Sequence, residues 1–256
     1  MFKPDDGWIV LFSGGKESSL ALYQALENGR DVRRLVFVHS PTAASAYHAP
    51  AAPVVRLAAQ SIGIPLVNAG LPAVDVEPPD IDADFAPDTE VAEGTEIDSF
   101  ENTIHALDAE LNGGVTGIIV GTVESEHRTD HVRSICNRVG CDFCAPLLGV
   151  DPRELAETMI ESGLEIVVVE VTAPGFDESW LGRRLDRDAL AELEALRRDQ
   201  GVHLLGEGGE FETVVTDGPH MSRPIAFESH REWHGSWGRL RITDAWLEAP
   251  DEADRH

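Results

Sequence analysis

The sequence predicts a doubly wound α/β fold, with a mostly parallel sheet and a smaller C-terminal α/β unit behind it. Three observations carry that expectation. The chain opens with a short apolar run, a glycine turn and an amphipathic stretch. That alternation of strand and helix then repeats. After Gly149 the pattern changes, which places the units at 1–149 and 150–250.

Trp8-Ile9-Val10-Leu11-Phe12 is apolar throughout and ends at glycines, as a strand entering a tight turn does. Over 17–28, Leu20, Ala21, Leu22, Ala25 and Leu26 share one helical stripe, and Gly29 stops the helix. Leu35-Val36-Phe37-Val38 forms a second strand, 54–62 a second helix closed by Gly63, and 64–68 a third strand. A helix over 99–111 leads into a strand over 117–121; a helix over 130–139 and a short strand at Phe143 follow. Residues 75–98 are dense in proline and acid, which predicts a solvated loop. In the second unit Asp151 is an N-cap with Pro152 at the first helical position, and that helix runs to Ser162 before Gly163. Strands are expected over 166–171, 211–216 and 240–246, with a charged amphipathic helix over 187–199.

Acidic residues number 46 against 20 basic ones, a formal net charge of −26. Only Lys3 and Lys16 are lysines; every other basic residue is arginine. Self-repulsion at this charge loosens a compact state unless salt screens it, so the composition predicts a chain adapted to a salty cytoplasm. The sign of the charge argues against direct nucleic-acid binding. No apolar run reaches the length of a membrane span, and the acidic start does not read as a signal peptide, so a cytoplasmic protein with no membrane partner is expected. Three clustered cysteines, Cys136, Cys141 and Cys144, argue against a secreted disulfide framework. With His131 they could make a zinc or thiol-transfer site. Because Phe143 reads as a buried strand, core packing is the expectation.

The strongest chemical signal is Ser13-Gly14-Gly15-Lys16-Glu17-Ser18. Two glycines let the backbone turn sharply and bring N–H groups close to phosphate oxygens. The helix that follows adds its N-terminal dipole, Lys16 a full positive charge, and two serines their hydroxyls. A chain nearly stripped of lysine keeps one here. The loop is not a Walker A motif, because Val10 stands where its first glycine belongs. Glu207, Glu210 and Glu212 form a second cluster, spaced by Gly208 and Gly209. Such a turn can bind Mg²⁺ or a substrate cation, or be a solvated acidic hairpin. Phe211 or Trp180 would suit a quaternary ammonium group.

The first loop resembles that of the PP-loop ATP pyrophosphatases, which have a HUP-like fold. That resemblance implies cleavage of ATP between its α and β phosphates, with AMP passed to a substrate oxygen. It makes Lys16 the catalytic residue and puts Ser13, Gly14, Gly15, Glu17, Ser18, His39 and Gly121 around the nucleotide, with Mg²⁺ as cofactor through ligands left unassigned. The remainder resembles the diphthine–ammonia ligase family. The resemblance rests on Gly206-Glu207-Gly208-Gly209-Glu210-Phe211-Glu212-Thr213 followed by Asp217-Gly218-Pro219, and on Leu181-Gly182-Arg183-Arg184-Leu185-Asp186 after Asp177-Glu178-Ser179-Trp180. Gly121-Thr122-Val123-Glu124-Ser125, Ala145-Pro146-Leu147 and Tyr47-His48 are similar to further family segments. The chain departs from the family at His127-Arg128-Thr129-Asp130-His131 and at Leu148. The resemblance implies a substrate-binding set of Tyr47, His48, Glu124, Ser125, Trp180, Gly182, Arg183, Glu207, Gly208, Gly209, Glu210, Glu212 and Thr213. It also implies ammonium and translation elongation factor 2 carrying diphthine as partners. The alternatives are a PP-loop tRNA-modifying ligase or thiolase, and an ATP-binding sensor without chemistry.

Overall fold

In the computed structural model, which describes residues 7–38, 51–69, 95–124 and 126–249, five parallel strands form the first sheet. These are β1 (Trp8–Leu11), β2 (Val32–Val38), β3 (Leu66–Ala69), β4 (Gly117–Val120) and β5 (Asp142–Cys144). They are joined by helices α1 (Lys16–Glu27), α2 (Ala51–Ile62), α3 (Thr95–Glu110) and α4 (Glu126–Val139). The order is β3-β2-β1-β4-β5. The chain first winds outward from β1 through β2 to β3, then crosses to β4 and β5. Strand order therefore reverses between β1 and β4, and in open α/β sheets the ligand crevice opens at such a switch point, beyond the strand C-termini.

Both faces of this sheet are buried, as a parallel sheet requires. Ile9, Val36, Ile118 and Val120 pack on one side with Ile104 and Leu107 of α3 and Ile135 of α4. Val10, Leu35, Phe37 and Ile119 pack on the other with Leu20 and Leu22 of α1 and Val54 and Val55 of α2.

The second core does not stop at the sheet. It runs on into α5 (Pro152–Glu161), α6 (Arg187–Gln200) and a second sheet, through Leu155, Met159, Val168, Leu193 and Val215. That sheet holds β6 (Glu165–Val171), β7 (Phe211–Asp217), β8 (Ile225–Trp233) and β9 (Gly238–Leu247) in the order β7-β6-β9-β8, with every pairing antiparallel. A 3-10 turn, Glu178–Trp180, lies between β6 and α6. Local chemistry sets the helix ends. Asp151 accepts hydrogen bonds from the N–H groups of Arg153 at 2.9 Å and Glu154 at 3.2 Å, with Pro152 at the first position of α5. Asp186 caps α6 through the Ala189 N–H at 2.8 Å, and Gly201 closes it in the left-handed region at φ +76°. Ser61, at the end of α2, exchanges hydrogen bonds with Ser222 and Arg223 just before β8, tying the first unit to the second.

The doubly wound parallel sheet and the second unit are as expected. Three details differ. The β2 strand begins at Val32, ahead of the apolar run, because Arg33 and Arg34 lie on its more exposed stretch. The α4 helix begins at Glu126, through a polar segment that lacks an apolar stripe. The β8 strand was not anticipated, since four consecutive residues, Glu228 to Arg231, are exposed and carry no alternation. Residues 75–94 of the acidic segment lie outside the described residues, and 95–98 open α3. No helix among the described residues is long and apolar enough to cross a membrane.

Candidate active site

Segments 13–18 and 121–124 leave the sheet on either side of the switch point. After β1 the backbone turns at Gly14, with φ at +74°; a Cβ there would also stand 2.9 Å from Val55 Cγ2. Gly15 then caps α1 from an extended conformation with no side-chain cap. The two serines hold the turn. Ser13 N–H donates to Ser18 Oγ at 3.2 Å, the two hydroxyls lie 3.1 Å apart, and Ser18 Oγ donates to Gly15 O at 3.1 Å. What results is a short rigid arc of backbone at a positive helix end.

Lys16 is 3% exposed, a buried cation rather than a surface lysine. Its Nζ sits 2.7 Å from Glu17 Oε1, off the hydrogen-bond direction, and 4.9 Å from the centroid of the Phe211 ring. It is packed there because β7 runs directly beside the loop: Val215 N–H donates to Gly14 O at 2.9 Å, and Lys16 N–H donates to Thr213 Oγ1 at 3.4 Å. The end of the Gly206–Thr213 signature thus touches the nucleotide-type loop.

Gly121 lies against α1. A Cβ on it would stand 2.5 Å from Glu17 O and 2.8 Å from Ser18 Cα, so only glycine lets the first turn of α1 rest on the end of β4. Beside it, Thr122 is buried and its Oγ1 has no hydrogen-bond partner. Glu124 is exposed and reaches His203 Nε2 at 3.2 Å.

The glutamate turn folds around its own carboxylate. Glu210 Oε1 accepts from His203 N–H at 3.0 Å, while its Oε2 is buried without a partner. Thr172 anchors the turn by donating from N–H to Glu210 O at 2.9 Å and from Oγ1 to Gly209 O at 2.5 Å. Gly206 adopts φ +68°, and a Cβ on it would lie 2.6 Å from Phe211 O. Gly208 passes over the Glu210 carboxylate, where a Cβ would meet Oε1 at 2.9 Å. Glu207 is exposed at the tip and Glu212 is half-buried on β7. The three glutamates therefore do not converge on one point: one looks out, one looks in, one is on the strand.

Trp180 and Phe211 are both core residues, at 4% and 1% exposure, bridged by Phe176 at centroid distances of 5.0 and 5.9 Å. Gly182 makes its turn at φ +82°. Arg183 lies 4.6 Å over the Trp180 ring and is paired with Glu192 at 2.7 and 2.8 Å. These residues brace the second unit. His39, Tyr47, His48 and Ser125 lie outside the described residues.

Sequence reasoning missed two groups. His203 joins Glu124 to the glutamate turn, and its lack of ligand spacing hid it. Glu170 is 5% exposed, directly opposite Glu212 on β7 and Arg239 on β9, with Oε2 unpartnered. Burial pushes its carboxyl above the usual range, against a smaller pull from Arg239. A glutamate inside Val-Val-Val-Glu-Val was the available signal.

Strand periodicity parts the cysteines. Cys141 and buried Cys136 pack on one face of the first sheet, and Cys144 on the other. A hydrogen bond between Cys136 and Cys141 pushes the Cys136 thiol up and holds the Cys141 thiol down. All three are free thiols, and among the described residues no three His, Cys, Asp or Glu side chains gather as a metal cage.

Sequence profiles of the diphthamide synthase N-terminal domain and the diphthamide synthase C-terminal domain match residues 7–80 and 151–247. The diphthine–ammonia ligase of Danio rerio is 28% identical over 229 residues, covering 86% of this chain and 86% of its own. That of Bos taurus is 26% identical over 229 residues, covering 86% and 82%. A solved structure described as a predicted subunit of tRNA methyltransferase from Methanocaldococcus jannaschii superposes with a TM-score of 0.40 and 17% identity, over 84% of this chain and 98% of that one, too loosely to speak to activity. Matched over residues 7–80 and 151–247, the chain belongs to the diphthamide synthase family.

Proposed function

We propose that this chain is an ATP-dependent ligase that amidates the diphthine carboxylate of translation elongation factor 2 with ammonia, giving diphthamide. Residues 1–149 supply the nucleotide side and 150–250 the substrate side. The supporting observation is the pair of hydrogen bonds that joins Gly14 and Lys16 to Val215 and Thr213, because it sets the family's glutamate segment against the ATP loop.

The arc at 13–18 fits a pyrophosphate: one position, Gly14, where a Cβ would both intrude and strain, a helix N-terminus and one buried cation. In the proposed reaction a diphthine carboxylate oxygen bonds to the α-phosphorus as the bond to the β-phosphate oxygen breaks. Lys16 and the loop N–H groups stabilise the charge on departing pyrophosphate. Ammonia then attacks the acyl carbon of the acyl-adenylate, loses a proton, and AMP leaves with the carbon–oxygen bond electrons. Mg²⁺ would supply further charge neutralisation. Such an ion is usually held by phosphate oxygens, water and one or two carboxylates, which fits a site where the described residues form no side-chain cage.

The test is release of AMP and pyrophosphate from ATP. Over many turnovers it should require both ammonium and diphthine-bearing elongation factor 2. Lys16→Met keeps the aliphatic stem on Phe211 while removing the charge, and should abolish that release. AMP formation that ignores the modified factor, or answers to tRNA, would return the chain to the other PP-loop activities.

A further inference from the structure

We infer that His203 is a positioning residue for this reaction, a latch that fixes the 205–210 turn to Glu124 at the end of β4; the inference rests on the proposed ligase reading. Its ring is bonded on both edges. Nδ1 accepts from the N–H groups of Leu205 at 3.2 Å and Glu207 at 3.4 Å, so that nitrogen carries no hydrogen. The neutral ring therefore bears its hydrogen on Nε2, which donates to Glu124 Oε1 at 3.2 Å. The residue's own N–H donates to Glu210 Oε1 at 3.0 Å. One side chain thus shapes the turn and ties it across to the first sheet.

The latch completes a closed circuit of contacts. Gly121, three residues before Glu124, rests on the backbone of Glu17 and Ser18. From His203 the circuit passes through the turn to Phe211, which lies under Lys16. Phe211, Thr213 and Val215 hold the end of the glutamate segment to the ATP loop, and His203 with Glu124 ties the turn to the first unit at a separate point. At the second point both side chains reach solvent, with 22% and 56% exposure, where a polar pair adds little stability. Its effect is on geometry, and misplacing reacting groups by about 1 Å can cost about a hundredfold in rate.

The experiment compares His203→Ala and His203→Asn with the wild type. Asparagine can accept the Leu205 and Glu207 N–H groups in place of Nδ1, but is too short to reach Glu124. Three readouts are taken: kcat and ATP KM for AMP release, Tm, and amide hydrogen exchange at 205 and 207 in the unliganded protein. For His203→Ala, kcat should fall by about 10- to 100-fold with ATP KM and Tm nearly unchanged, and exchange at both amides should quicken. For His203→Asn, the amides should stay protected while kcat remains low. Full kcat in either variant overturns the latch, as does a kcat loss that merely follows Tm. If the wild type shows no diphthine-dependent AMP release, the ligase reading fails; quickened exchange in His203→Ala alone then still supports the latch, and unchanged exchange overturns it.

Discussion

His220 should make this protein lose stability on mild acidification, and His220→Phe should remove that loss. The ring sits in the turn after β7, 5.8 Å from the Tyr23 ring of α1, with Cε1 3.1 Å from where a Cβ on Gly218 would stand. Neither ring nitrogen has a hydrogen-bond partner, and burial pushes the pKa down from 6.5 to about 4. The unfolded chain takes up a proton as pH drops through 6.5, whereas the folded chain does not until about 4. Stability is thus fully present above 6.5 and drains away as pH falls towards 4. Each pH unit in that interval is about 1.4 kcal/mol. At about pH 5 the wild type should have lost about 2 kcal/mol through this residue, and about 3 kcal/mol near pH 4. Phenylalanine keeps a ring on Tyr23 and removes two unpaired nitrogens, so the variant should be at least as stable at about pH 7.5. Denaturant unfolding of both proteins at both pH values, at one fixed molar salt, gives the check. Subtracting the two proteins cancels the carboxylates, which titrate alike in each. A difference that stays constant from about pH 7.5 to about pH 5 refutes the reasoning.

Gly121→Ala should cost about 1–3 kcal/mol and weaken ATP binding more than it lowers Tm, since its Cβ meets the backbone of Glu17 and Ser18 rather than a movable side chain; calorimetric titration with ATP would show normal affinity if the packing reading were wrong. Glu170→Gln should raise Tm at neutral pH and shrink that gain as acid protonates the wild-type carboxyl, because it removes a buried charge whose pKa is raised; an unshifted melting curve would contradict this. The net charge of −26 should make Tm climb between about 0.1 M and 3 M KCl, and a flat profile would remove the salt-adapted reading.

The first sheet was legible in the sequence because β1, β4 and the second half of β2 are apolar runs and most of its helices carry a stripe that a glycine ends. The second sheet was half legible. The β6 and β7 strands are buried and announce themselves, while β8 is an exposed ribbon whose partner, not its own pattern, makes it a strand. At the site, Ser13 to Ser18 stand together as their spacing foretold. The places of Phe211 and Trp180 could not be read, since an aromatic residue in a core and one lining a ligand pocket have the same letters. His203 was invisible for a different reason. Its bonds go to backbone N–H groups and to a glutamate 79 residues away, and neither leaves a trace in spacing.

The bond from Val215 to Gly14 also bears on how the chain comes to be folded at all. The β7 strand is an edge of the second sheet, and its outward N–H groups would invite another chain to pair. The ATP loop covers that edge, so the same few residues that would grip phosphate also act as a stopper against aggregation. During synthesis β7 emerges long after the loop has been made, and so it meets its cover at once. Were the halves expressed as two fragments cut at Gly149, the C-terminal one alone would carry a bare strand edge and a bisected core, and would precipitate unless its N-terminal counterpart were present to dock on it.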